Sequence, residues 1–228
     1  MLKAYIRNLS PLGEFCLVLL IFFGGPTVWA IEAVASNLMG VAPRQSELFS
    51  DAAVAWQVIV EIFCLVAAWW IGSVRGWSVA NFGAQISWRL TRAGLAVFGA
   101  AVIGETVLSV LLNTLHPGGA LASLRSNGLT IWYIAVVSIV NPLFEEFVEI
   151  GYIFYALRRC GVWTPLWLSA LLTAFLHSYQ GLNGVLNILL LRLIFGLAYL
   201  RWRQMWPLVV AHGLSDFLGL AWLAYATG

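Results

Sequence analysis

Seven stretches of mostly apolar residues, about 14–36, 52–73, 93–115, 129–156, 162–178, 183–200 and 206–226, take up most of this chain. Each lies near the ~20 residues that an α-helix needs to cross ~30 Å of hydrocarbon, the fifth being short and the fourth long. Composition agrees. Of 228 residues, 61% are hydrophobic and 10% charged, against about 25% charged in soluble domains, too few for a water-facing surface. The alternating segments of about ten residues that an outer-membrane barrel requires are missing, so the backbone must satisfy itself in helices. The expectation is an all-α polytopic transmembrane helix bundle of about seven spans, a single integral membrane domain over residues 1–228 in contact with lipid.

Basic residues orient it. With the N-terminus inside, the inner connections hold nine (Lys3, Arg7, Arg75, Arg89, Arg92, Arg158, Arg159, Arg201 and Arg203), while the outer ones hold Arg44 and Arg125. Short cytoplasmic loops carry this kind of excess, which points to an inner (cytoplasmic) membrane with the N-terminus inside. The first apolar stretch resembles a signal peptide in its flanks but is too long and lacks a following small-residue cleavage site, so it reads as a retained helix. The connections at about 37–51, 74–92 and 116–128 are too short to enclose a core. In residues 79–92, Val79, Phe82, Ile86 and Leu90 fall at roughly helical spacing beside Arg89 and Arg92; an interfacial helix and an ordinary polar loop fit equally. No repeat is visible. The net charge of +2 follows from the inner basic residues and gives no reason to expect nucleic acid.

Cys16, Cys64 and Cys160 are isolated and suggest neither a disulfide framework nor a metal site. Trp77, Trp88, Trp132, Trp163, Trp202 and Trp206 lie near predicted span ends, where an aromatic belt belongs.

Ionisable groups inside spans are costly, at least ~2.5–3.5 kcal/mol at mid-membrane, and mark function by default. Glu14 and Glu32 lie close enough to span ends to reach headgroup water. Glu61 and Glu105 sit deeper, where a lone glutamate is more often a helix-packing contact than a catalyst. The rest cluster: Glu145, Glu146 and Glu149 in the fourth stretch, His177 in the fifth, Arg192 in the sixth, His212 and Asp216 in the seventh. His212 and Asp216 are i and i+4, on one helix face about 6 Å apart at Cβ. Glu145 and Glu149 share that relation, with Glu146 turned about 100° from Glu145. Pro142 favours a kink three residues before the pair, which would admit water. Two carboxylates and two imidazoles suit water activation, with or without a divalent metal. The same groups suit a polar network joining helices, or a proton path in a carrier.

Their order along the chain, a Glu-Glu pair, a His one helix later, then a His with Asp four residues on, resembles the CPBP family of intramembrane proteases, which includes CAAX-processing endoproteases and Abi self-immunity proteins. The resemblance covers about residues 141–219. The family's EExxxRG falls on Glu145-Glu146-Phe147-Val148-Glu149-Ile150-Gly151, its FxxxH on Thr173 to His177, and its HxxxN/D on His212 to Asp216. Ile150 stands where the family has Arg, and Thr173 where it has Phe. By resemblance, the protein is an intramembrane endopeptidase acting on a membrane-associated peptide or protein. Glu145 would be the general base and Glu146 would orient the site. His177 would position water, and His212 with Asp216 would stabilise the oxyanion. Glu146, His177 and His212 would be the ligands if zinc or another divalent metal takes part. GxSxG, HExxH and a presenilin-type aspartyl pair are absent from the chain. Arg192 has only apolar neighbours along its helix and lies about 12 Å from the helix end, too far to snorkel, so it should pair with an acid on another helix, Glu149 before Glu146 or Glu105. Two alternatives stay open: an inactive member serving as a membrane immunity or scaffold protein, which the missing Arg suggests, and a proton-coupled carrier, at which only the Pro142 and Pro207 interruptions hint. A short chain without soluble domains has a bacterial look, making CAAX tails less expected as substrates than leader or small membrane peptides.

Overall fold

A computed structural model describes residues 2–39, 49–115 and 126–227. The outer basic residues Arg44 and Arg125 lie outside the described residues. The chain is 86% helical, and no strand occurs among the described residues. The order is α1 (Leu2–Arg7), α2 (Pro11–Leu38), α3 (Asp51–Arg75), α4 (Trp88–Leu115), α5 (Ile131–Ala156), α6 (Trp163–Leu176), α7 (Gly181–Trp202) and α8 (Trp206–Thr227). Six of these, all but α1 and α6, are long and apolar enough to cross a membrane. At 14 residues, α6 reaches only about 21 Å and cannot span the hydrocarbon alone. The protein is an integral membrane protein, and about seven spans describe it if α6 is counted.

Local sequence sets the ends. Ser50 caps α3 by accepting from the Ala53 N–H at 3.2 Å, and Gly76 ends it in the left-handed conformation, φ 73°. No amphipathic helix fills residues 79–92: a single 3₁₀ turn, Val79–Phe82, precedes α4, which starts at Trp88. The cause is Gly83. A Cβ there would lie 2.0 Å from the Arg203 carbonyl oxygen, and the Gly83 carbonyl accepts from the Met205 N–H at 2.8 Å, so this segment is clamped onto the α7–α8 turn.

Within the bundle, α8 packs between α4 and α5, α7 against α4 and α6, and α3 against α5, while α2 touches α3 and α6 at the edge. The α5–α8 contact is close: a Cβ on Gly213 would meet the Ser138 carbonyl oxygen at 2.7 Å. That closeness sets His212 beside the glutamates of α5. Outward faces are apolar, with Trp56, Ile59, Phe63 and Trp69 of α3 and Ile103, Val107 and Val110 of α4 exposed, as a lipid-facing surface requires. Exposed Trp88, Trp132 and Trp163 mark the starts of α4, α5 and α6. Arg75 donates to the Arg7 and Leu9 carbonyls, at 2.8 and 3.0 Å, which ties the α1–α2 turn to the end of α3. The three cysteines are free.

Glu14 does not reach headgroup water. It is buried, bound by the Arg75 guanidinium and approached by Trp77 Nε1 at 3.2 Å. The Arg that closes α3 folds over the start of α2, and a balanced pair replaces solvation.

Candidate active site

The site begins with a break in α5. Pro142 has no N–H to give, and four residues further on, the backbone widens from α-helix into a π-helical stretch, Glu146–Tyr152, before returning to α-helix at Ile153. A wider turn holds more residues, so successive side chains rotate by less than in an α-helix. Glu146 is therefore not turned away from Glu145 and Glu149 to the extent that α-helical spacing suggests. All three carboxylates converge on one cation from α7. Arg192 Nη1 lies 2.6 Å from Glu146 Oε1 and Nη2 lies 2.7 Å from Glu149 Oε2, with Nη2 also bound to Glu145 Oε2. Ile150, standing where the family pattern has Arg, is buried in the core.

From α8, His212 faces the same group. Its Nδ1 is 2.7 Å from Glu146 Oε1, and its Nε2 lies 3.4 Å from Asp216 Oδ1 and 3.8 Å from Glu145 Oε2. Asn141, one turn before Glu145, donates to Asp216 Oδ2 at 3.0 Å. Phe195 forms the apolar floor, its ring 6.1 Å from that of His212 and 5.9 Å from the Arg192 guanidinium carbon.

Access separates the acids. Side-chain exposure is 0% for Glu146 and 2% for Glu149 and Arg192, but 16% for Glu145 and 21% for Asp216. Water therefore meets Glu145 and Asp216 first, and Glu146 and Glu149 lie behind them, bound to Arg192. Four carboxyl groups face one guanidinium and one imidazole. Even with His212 protonated, full ionisation leaves an excess of negative charge in a low dielectric.

His177 stands apart. It ends α6, and its Nδ1 is 2.9 Å from the Thr173 carbonyl oxygen. That oxygen can only accept, so Nδ1 carries the hydrogen and Nε2 keeps its lone pair. No hydrogen bond or ion pair joins His177 to the glutamates or to His212, although it lies within electrostatic reach of both Glu145 and His212. Its link to the cluster is Thr173, whose hydroxyl donates to Glu149 Oε2 at 2.7 Å. This also gives Thr173, at the family's Phe position, a role that its residue type did not announce. The sequence reading singled out neither Asn141, whose signal was an amide one turn before the Glu pair, nor Tyr179, whose ring is 5.7 Å from that of His177.

The arrangement does not fit a metal centre. Among the described residues, no group of three or more His, Cys, Asp or Glu side chains is disposed to hold an ion. Glu146 is taken up by Arg192 and by His212 Nδ1, so Glu146, His177 and His212 do not face one common point as free ligands.

Residues 127–218 match the family described as Rce1-like, type II CAAX prenyl endopeptidase Rce1-like. No curated protein and no solved structure matches the chain. The matched segment holds α5 to most of α8, and with them every residue of the Arg192 and His212 cluster.

Proposed function

We propose, because residues 127–218 match the Rce1-like family of CAAX prenyl endopeptidases, that this chain is an intramembrane endopeptidase in which Glu145 activates the attacking water. One observation carries the choice of residue: of the three glutamates bound to Arg192, Glu145 alone keeps a share of open surface, and it also faces His212. Glu145 takes a proton from water as the oxygen attacks the scissile carbonyl. The tetrahedral oxyanion is stabilised by the Nε2–H of His212, which Asp216 holds only loosely, at 3.4 Å. Glu145 then returns the proton to the leaving amine as the C–N bond breaks. Glu146 and Asp216 hold the two sides of the His212 ring, and His177 offers Nε2 to the water or the substrate. Arg192 supplies the positive charge that lets three carboxylates share one site, which supports a metal-independent reaction. The substrate is a peptide or protein segment held in the membrane.

The helices alternate direction, so Arg75, Arg89, Arg92, Arg158, Arg159, Arg201 and Arg203 gather at one end of the bundle with α1. That supports an inner-membrane protein with this end in the cytoplasm. Reporter fusions at Gly76 and Gly228 should then report opposite sides.

The deciding experiment is cleavage of a fluorogenic membrane peptide by the purified chain in lipid vesicles. Activity that disappears in Glu145→Ala, with no metal bound in stoichiometric amount and no loss in chelator, supports the reading. A wild-type protein that cleaves nothing, yet folds, favours an inactive immunity or scaffold role. Stoichiometric zinc needed for activity replaces the metal-independent step.

A further inference from the structure

The family-matched segment does not contain the whole polar network. On α3, Gln57 and Glu61 are i and i+4 and so share a face. Gln57 Nε2 donates to Glu61 Oε1 at 2.7 Å and reaches Asn141 Oδ1 at 3.4 Å. Asn141 Nδ2 in turn donates to Asp216 Oδ2 at 3.0 Å and lies 3.5 Å from His212 Nε2. We infer that Gln57 and Glu61 are positioning residues of the active site, which fix the Asn141 amide and through it the Asp216–His212 pair.

Donor and acceptor chemistry gives the run one direction. An ionised Asp216 only accepts, so Asn141 must turn its NH₂ toward it. Its carbonyl oxygen then faces α3 and needs a donor, which Gln57 supplies. Gln57 lies on the same face as Glu61, at the edge of the α3–α5 contact, and keeps exposed surface of its own, so its long amide has nothing in the apolar surroundings to hold it. Glu61 does so: it is buried, and its Oε1 accepts from the same NH₂ that faces Asn141. The backbone beneath is rigid, because Val54 and Val58 pack against Ile134 and Val137, so the register of α3 on α5 is set by a dry apolar patch that ends at these three polar side chains. A lone helix-packing glutamate has no need of an amide partner aimed at the next helix.

The inference rests on the peptidase reading for its catalytic consequence but not for its geometry, and the test uses both. With the full chain and the same reporter peptide, Glu61→Leu and Gln57→Leu should lower kcat by about ten- to a hundredfold with KM unchanged, whereas Glu61→Gln, which can still accept from Gln57, should stay near wild type. In ¹⁵N-histidine-labelled protein, the ring signals lost in His212→Gln identify His212. They should move in both leucine variants and stay in place in Glu61→Gln. This second readout needs no catalysis, so a wild-type chain without activity overturns the peptidase reading and leaves the positioning claim to the His212 signals. His212 signals unmoved in both leucine variants would refute the positioning role, as would an active enzyme whose kcat ignores them. Gln57→Leu, at an exposed position, serves where Glu61→Leu does not fold.

Discussion

Two arginines, the half-buried Arg75 and the buried Arg192, hold glutamates in this bundle, and they do so in opposite ways. Arg75 meets a single acid, Glu14, and directs its remaining N–H groups to the backbone carbonyls of Arg7 and Leu9. The pair is balanced in charge and tied to fixed backbone. Arg192 meets three acids, contacts no backbone carbonyl in the hydrogen bonds described, and shares one of its acids with His212. Glu146 Oε2 and Arg192 Nε are left without partners. A closed pair at the end of the bundle is what structure alone asks for. An acid-rich, incompletely satisfied group at mid-membrane is costly, and it persists where chemistry uses the surplus charge.

The comparison breaks first, and with the largest effect, at Arg192. Arg192→Leu leaves three carboxylates facing one another in low dielectric, and removing one partner of a buried ionic group costs about 3–5 kcal/mol. Denaturation in mild detergent should show that loss, with activity falling in parallel. Glu149→Gln together with Arg192→Gln should do less damage than the two single changes added, because the groups touch at 2.7 Å. Additive singles would mean that the contact carries no coupling and that Arg192 is held by Glu145 and Glu146 alone.

The Glu14–Arg75 pair should behave differently. Arg75→Leu is expected to cost about 1–3 kcal/mol, the desolvation of one stranded acid and several carbonyls, while kcat/KM per folded molecule stays near wild type. Arg75→Lys should recover part of the stability but not all, since an ammonium cannot repeat the forked contacts. A large fall in kcat for Arg75→Leu at unchanged stability would erase the distinction between the two arginines.

How much of this the residues announce follows from the range of the interaction concerned. The helices are legible because twenty apolar residues in a row have few alternatives, and the 3.6-residue period puts His212 and Asp216 on one face without further information. That Arg192 needs an acid from another helix is equally local, since Leu191, Leu193 and their neighbours offer none. What stays hidden depends on backbone detail or on distant partners. Pro142 signals a break but not that the chain beyond it widens into a π turn, and it is this widening that brings Glu146 round to Glu145 and Glu149. Glu14 lies near a span end, where headgroup water is the simple expectation; its partner is 61 residues away and no pattern connects them. The same holds for Gln57 and Asn141, 84 residues apart. Of the two readings that fit residues 79–92 equally, the interfacial helix on Val79, Phe82, Ile86 and Leu90 does not form, and periodicity could not decide this because it does not see Gly83 clamped against Arg203.

The smallest effect tests the outer edge of the cluster. Thr173 has three partners: its hydroxyl donates to Glu149 Oε2 at 2.7 Å and lies 3.0 Å from the Ser169 carbonyl oxygen, while its own carbonyl accepts from His177. Thr173→Val keeps the shape and the backbone but removes the hydroxyl. Glu149 Oε2 retains Arg192, so the loss is that of one hydrogen bond to a charged acceptor, about 1.5–3 kcal/mol at most and less after relaxation. The backbone carbonyl still holds the His177 ring, so its tautomer and position should survive, and kcat should fall by less than about tenfold. Thr173→Ser, which keeps the hydroxyl, should restore it. If Thr173→Val instead abolished cleavage as completely as Glu145→Ala, then Glu149 would have to be placed in the chemistry rather than behind it, and the division between an open, reactive Glu145 and a closed Glu146–Glu149–Arg192 support would have to be redrawn.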